Sequence, residues 1–85
     1  MAKFSYTIKD ELGIHARPAG ELVKEAKKYE SKITITKEGR TVEATKLMAV
    51  MSLGVKCGQT IDVEVTGADE AAAADAIKAF LETHL

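Results

Sequence analysis

Phe4, Tyr6 and Ile8 alternate with Ser5 and Thr7, the period of two that gives a strand one buried and one wet face. Asp10-Glu11-Leu12-Gly13 breaks the alternation and reads as a loop. From Ala16 the period lengthens. Ala19, Leu22, Val23 and Ala26 fall on one side of a helix, and Glu21, Lys24, Glu25 and Lys28 on the other. This spacing predicts an amphipathic helix that closes near Tyr29. Ile33 and Ile35 alternate again, Glu38-Gly39 supplies a turn, and Val42 and Ala44 lie on the return strand of a hairpin. Leu47, Val50, Met51 and Gly54 share one stripe of a short helix over Leu47–Leu53, with Gly54 as its stop. Ile61, Val63 and Val65 form the cleanest strand pattern. Ala71–Leu85 predicts the strongest helix, with Ala73, Ile77, Phe80 and Leu81 inward and Asp69-Glu70 at its positive end.

The element order is therefore β-α-β-β-α-β-α. Crossovers of one hand place the helices on one face of the sheet. The half-polar strands agree, because strands covered on both faces would be apolar throughout. The expected fold is α+β: an open-faced β-sandwich, a four-stranded, mainly antiparallel sheet covered on one face by three helices. No linker, repeat or low-complexity segment divides the chain, so residues 1–85 are expected to form one domain.

With 46% apolar and 29% charged residues, the chain has the balance of a folded protein rather than a disordered tail. Twelve Lys and Arg against thirteen Asp and Glu leave a net charge of −1, which argues against a nucleic-acid partner. The longest strongly apolar run, Leu47–Met51, is far too short to span a membrane, and charges from Lys3 to Glu11 interrupt any leader-like stretch. A lone cysteine, Cys57, closes no internal disulfide and no four-ligand zinc site. These features predict a cytoplasmic, metal-free monomer without a cofactor. The charge is uneven, however: basic residues dominate up to Lys56, and beyond it only Lys78 offsets Asp62, Glu64, Asp69, Glu70, Asp75 and Glu82. The basic part suits an acidic partner surface.

The informative stretch is Gly13-Ile14-His15-Ala16-Arg17-Pro18-Ala19. A strand and a glycine-ended loop deliver a histidine to the start of a helix. Amides of a first helical turn lack intrahelical acceptors, and with the helix dipole they form an anion site. Pro18 suits that turn because it has no N–H to satisfy. Arg17 adds a guanidinium able to hold two oxygens of a phosphoryl group. Imidazole is the nucleophile of this loop, so the residues fit a phosphohistidine that is formed and passed on. Hydrolysis would need an activated water and usually a metal. The residues alone leave a plain capping histidine open.

Residues Gly13–Ala19 resemble the active-site signature of the HPr family, the histidine-containing phosphocarriers of the phosphoenolpyruvate-dependent sugar phosphotransferase system. A second block, Leu47-Met48-Ala49-Val50-Met51-Ser52-Leu53-Gly54, resembles the Gram-positive members. The resemblance covers the whole chain and implies the open-faced sandwich. It implies that His15 accepts a phosphoryl group on Nδ1 from phosphorylated enzyme I and passes it to the A domain of a sugar-specific enzyme II. It also implies that Arg17 and the amides of Ala16 and Arg17 stabilise the phosphoryl charge. Such a protein is a relay, not an enzyme.

Leu47, Met48, Val50 and Met51 are too many large apolar groups for two helical turns to bury. Met48 and Met51 are expected at the surface, where flexible thioethers suit several partners. The family resemblance makes Leu47, Met48 and Met51 a docking patch; Lys24 and Lys27, farther along the first helix, are placed where they can steer acidic partners. An alternative is a regulatory HPr-like module acting through Met48 and Met51 alone, docking on kinases or transcriptional regulators. Gram-positive members carry a serine, the target of HPr kinase/phosphorylase, where this chain has Lys46. Lysine is a poor cap that brings positive charge to a positive helix end. Thr45 can supply the missing cap by shifting the helix start one residue, and serine-type control is expected to be absent unless the kinase accepts Thr45. Cys57 and His84 carry no chemistry in this reading, His84 being a solvated helix-end residue.

Overall fold

The computed structural model describes residues 1–85. Its elements are β1 (Ala2–Thr7), α1 (Ala16–Ala26), β2 (Lys32–Lys37), β3 (Arg40–Glu43), α2 (Leu47–Ser52), β4 (Thr60–Thr66) and α3 (Glu70–His84). The sheet order is β1-β4-β2-β3, and all three pairings are antiparallel. Strands joined through a helix are never neighbours. β4 lies between β1 and β2, and β2 separates β3 from β4. Each crossover therefore skips one strand, and the three helices share one face. Ile33, Ile35, Ile61, Val63 and Val65 point into that layer and meet Leu22, Val50, Ile77 and Leu81 in a single core cluster of 20 buried residues.

The other face is polar, and its side chains pair across the strands in register. Lys3 bridges Glu64 at 3.0 Å, Ser5 donates to Asp62 at 2.5 Å, and the hydroxyls of Thr7 and Thr60 lie 2.9 Å apart. Thr36 and Thr41 make the same contact at 2.7 Å. Such cross-strand pairs stabilise a sheet that has no second layer above it.

Departures from the sequence pattern each have a local cause. Phe4 and Tyr6 are only half-buried, because β1 is an edge strand at the margin of the helical layer. Phe80 is likewise half-buried near the end of α3, its ring centroid 4.4 Å from that of His84. β3 ends at Glu43, although Ala44 stays in the core through its N–H bond to the Ile33 carbonyl at 2.9 Å. α1 closes at Ala26 rather than near Tyr29. Its last bonds shorten to the i−3 type at Lys28 and Tyr29, and the next residues are claimed elsewhere. Glu30 N–H donates to Asp69 Oδ2 at 3.0 Å, and the Ser31 hydroxyl donates to Asp69 Oδ1.

Asp69 thus ties the α1–β2 turn to the start of α3. The Ser31 hydroxyl first, then the Glu30 amide, hold its carboxyl below the ordinary aspartate value. Folding lowers this pKa, so the associated stability is complete above the unfolded carboxyl value. It is withdrawn as pH falls through the lower folded value. In urea titrations across the acid range, the wild-type midpoint should fall as Asp69 protonates, and Asp69→Asn should lack that component. An identical acid profile in the two proteins contradicts the role given to this carboxylate.

The short α2 is fixed mainly at its C-terminal end. Lys37 Nζ donates to the Leu53 and Gly54 carbonyls at 3.1 and 3.0 Å, and Arg40 donates to the Ser52 carbonyl and hydroxyl at 3.0 and 2.8 Å. Cations at that end complement the dipole and satisfy orphan carbonyls. At the other end the shift to a Thr45 cap, open in the sequence, does not occur. Lys46 is the N-cap, without a side-chain cap bond, and Thr45 is half-buried before it. With the hairpin cations holding the far end, the helix forms without that cap.

Candidate functional site

Two anchored segments carry His15 to the surface. Upstream, the Lys9 and Asp10 amides donate to the Leu85 carbonyl at 2.6 and 2.8 Å, so the end of α3 holds the loop. Asp10 then folds the loop on itself. Its carboxylate accepts the Leu12 N–H at 2.8 Å and its carbonyl accepts the Gly13 N–H at 2.9 Å, an Asx-type turn. Downstream, Ile14 is buried, and its N–H donates to the Val55 carbonyl at 3.0 Å. His15 follows in extended conformation as the N-cap of α1, and its carbonyl accepts the first helical bond, from Ala19, at 3.0 Å.

The His15 side chain is 36% exposed and makes no cap bond, so it leaves the helix end open. The amides of Ala16 and Arg17 have no acceptor within the fold, and Pro18 has none to offer. Arg17 is exposed and in no ion pair. His15 Nε2 lies 3.8 Å from Asp10 Oδ1, beyond a hydrogen bond but close enough for electrostatic contact. The imidazole faces an open depression of about 300 Å³ lined by Asp10, His15, Arg17, Pro18, Glu21 and His84. The His15 ring and Arg17 border this depression at the open end of α1, a setting suited to an anion.

The sequence reading gives no chemical role to three of those six residues. Glu21 has a sequence signal, standing four positions from Arg17 on one helix face. Asp10 has one in the loop composition. His84 has none, because only the tertiary bonds from Lys9 and Asp10 to Leu85 bring the last turn of α3 to this loop. His84 Nδ1 lies 3.7 Å from Glu21 Oε2.

α2 packs beside α1 and exposes Leu47, Met48 and Met51 while burying Val50. Met48 is 77% exposed. Lys24 and Lys27 are exposed on α1. Leu12, unmarked in the sequence, is 73% exposed in the loop that precedes His15. Cys57 is exposed, its Sγ 3.7 Å from the Lys9 carbonyl. Ser52 serves the helix, donating to the Ala49 carbonyl at 2.6 Å while receiving Arg40.

Fold and site together define a small α+β domain that presents an open histidine-capped helix end to anions. Comparison with known proteins makes the class specific. The family model described as "PTS HPr component phosphorylation site" matches residues 2–83. Phosphocarrier protein HPr of Mycoplasma capricolum is 44% identical over 78 residues, which cover 92% of this chain and 88% of that protein. An HPr structure from Thermoanaerobacter tengcongensis superposes with a TM-score of 0.93 at 36% identity, covering 98% of this chain and 93% of that one. A mycoplasma histidine-containing phosphocarrier protein gives a TM-score of 0.93 at 40% identity, with 96% and 93% covered. The chain belongs to the HPr family of the phosphotransferase system, whose members are phosphocarriers rather than catalysts.

Proposed function

We propose that His15 is the phosphoryl acceptor, taking the group from phosphorylated enzyme I and passing it to the A domain of an enzyme II. The observation that carries this reading is the open helix end: an exposed imidazole beside two amides without acceptors and an arginine without a partner. That Nδ1 rather than Nε2 takes the phosphorus follows from the family resemblance; Nε2 lies 3.8 Å from Asp10 Oδ1. In transfer, the new Nδ1–P bond forms as the donor's bond to phosphorus breaks, and the onward step reverses the roles. The Ala16 and Arg17 amides and the Arg17 guanidinium offset the dianion in both directions. Charge-assisted hydrogen bonds of this kind are worth roughly 1.5–3 kcal/mol each. They hold the group without making it inert.

Leu47, Met48 and Met51, with Lys24 and Lys27 beside them, form the surface that partners share. The protein works as a cytoplasmic monomer and needs no metal or cofactor. Lys46 removes the serine-type regulatory acceptor, and the half-buried Thr45 does not replace it. The test uses enzyme I and labelled phosphoenolpyruvate. Label should enter the protein, be lost in acid, survive base, and move to an enzyme II A domain; base-labile, acid-stable label contradicts a phosphohistidine. In a parallel reaction, HPr kinase with ATP should add no acid-stable phosphate, and incorporation there overturns the reading of Lys46 and Thr45.

A further inference from the structure

The charges lining the depression do not balance for a phosphoryl group. Asp10 and Glu21 contribute two carboxylates, against the single guanidinium of Arg17. Adding a dianion to His15 deepens that deficit, and the Ala16 and Arg17 amides supply only partial charges. Apart from the acceptor ring itself, one lining side chain can gain positive charge by taking up a proton: His84, a second imidazole. Its ring is not loose. It lies 4.4 Å from the Phe80 ring at a tilt of 33°, and its Nδ1 lies 3.7 Å from Glu21 Oε2. The bonds from Lys9 and Asp10 to Leu85 lock the adjoining backbone to the loop that presents His15.

We propose that His84 is a positioning residue of the phosphoryl site, a second imidazole that takes up a proton from solvent when His15 is phosphorylated and releases it when the group departs. The proposal rests on His15 being the acceptor. The charged groups around His84 are Glu21 and Arg17 from α1, and Asp10 and His15 from the loop. Phosphorylation of His15 adds a dianion to this set, and a dianion there favours the imidazolium. Linkage makes the effect reciprocal: protonating His84 strengthens retention of the phosphoryl group by the same factor. For each unit by which phosphorylation raises the His84 titration midpoint, the phosphoryl group is held about tenfold better at the acid side than at the alkaline side.

The test follows the two histidine ring signals of the intact protein by NMR between about pH 6 and 9, before and after phosphorylation with phosphoenolpyruvate and enzyme I. The His84 midpoint should rise on phosphorylation and return when the group is removed. The equilibrium of the protein with phosphoenolpyruvate and pyruvate, measured across the same range, should lose the His84 component in His84→Gln. His84→Lys, which supplies a permanent cation, should restore the tight hold without that pH dependence. Label on His15 with an unmoved His84 midpoint overturns this proposal and leaves the carrier reading intact. A wild-type protein that takes no label overturns both.

Discussion

Replacing His15 with alanine should abolish phosphoryl incorporation and leave the fold almost unaffected. The side chain makes no cap bond, is partly exposed, and touches Asp10 only at 3.8 Å, so its removal opens no cavity and strands no buried polar group. Substitutions of that kind stay within about 0.5 kcal/mol. No second site competes for the label. The N-cap of α2 is Lys46 and that of α3 is Asp69, followed by Glu70, so neither start carries an imidazole. His84 borders the same depression but sits at a helix C-terminus, where carbonyls rather than amides face outward. Circular dichroism should show an unchanged spectrum, and the labelling reaction a signal at background. Acid-labile label on the folded variant, at His84 or elsewhere, contradicts the assignment of the acceptor.

The parts of this molecule that one stretch of chain decides were readable in that stretch. Ile61, Val63 and Val65 alternate because their strand has one wet face, and the Gly13–Ala19 segment contains its loop stop, its exposed imidazole and its helix start in seven residues. What the pattern could not show were pairings between distant segments. Nothing in β4 says that it inserts between β1 and β2, since the alternation suits any neighbour. The same holds at the ends of helices. Tyr29 continues the amphipathic pattern of α1, yet Asp69, far along the chain, claims the amide and hydroxyl that follow it. Lys37 and Arg40 look like ordinary hairpin cations until the fold brings them to the carbonyls at the C-terminal end of α2, which they anchor. His84 belongs with these. Its sequence neighbours describe a helix end, and only the Leu85 contacts place that end beside His15.

That dependence on backbone contacts makes Gly13 the most sensitive position of the site. Its φ is +71°, where a side chain is disfavoured, and a Cβ there would lie 2.3 Å from the Val55 carbonyl oxygen and 2.7 Å from Lys56 Cα. Both are backbone atoms, so no rotamer change relieves the contact. The Val55 oxygen is also the acceptor for Ile14 N–H, the bond that seats the residue immediately before His15. Gly13→Ala must therefore shift either the loop or the α2–β4 connection, and each shift loosens the start of α1. Left-handed strain and forced overpacking together should cost roughly 2–5 kcal/mol. For a domain of this size that lowers the melting temperature by at least about 8 °C. Gly39→Ala separates the two contributions. Gly39 has φ +83° but nothing within 4 Å of a Cβ, and it lies in the β2–β3 turn. It should show only the conformational strain, about 1–2 kcal/mol, with phosphoryl transfer unchanged. Gly13→Ala should combine the larger loss of stability with slower labelling of His15 even at temperatures where the variant is fully folded. Equal melting temperatures and equal labelling rates for the two variants would show that the Val55 contact does not hold the acceptor in place.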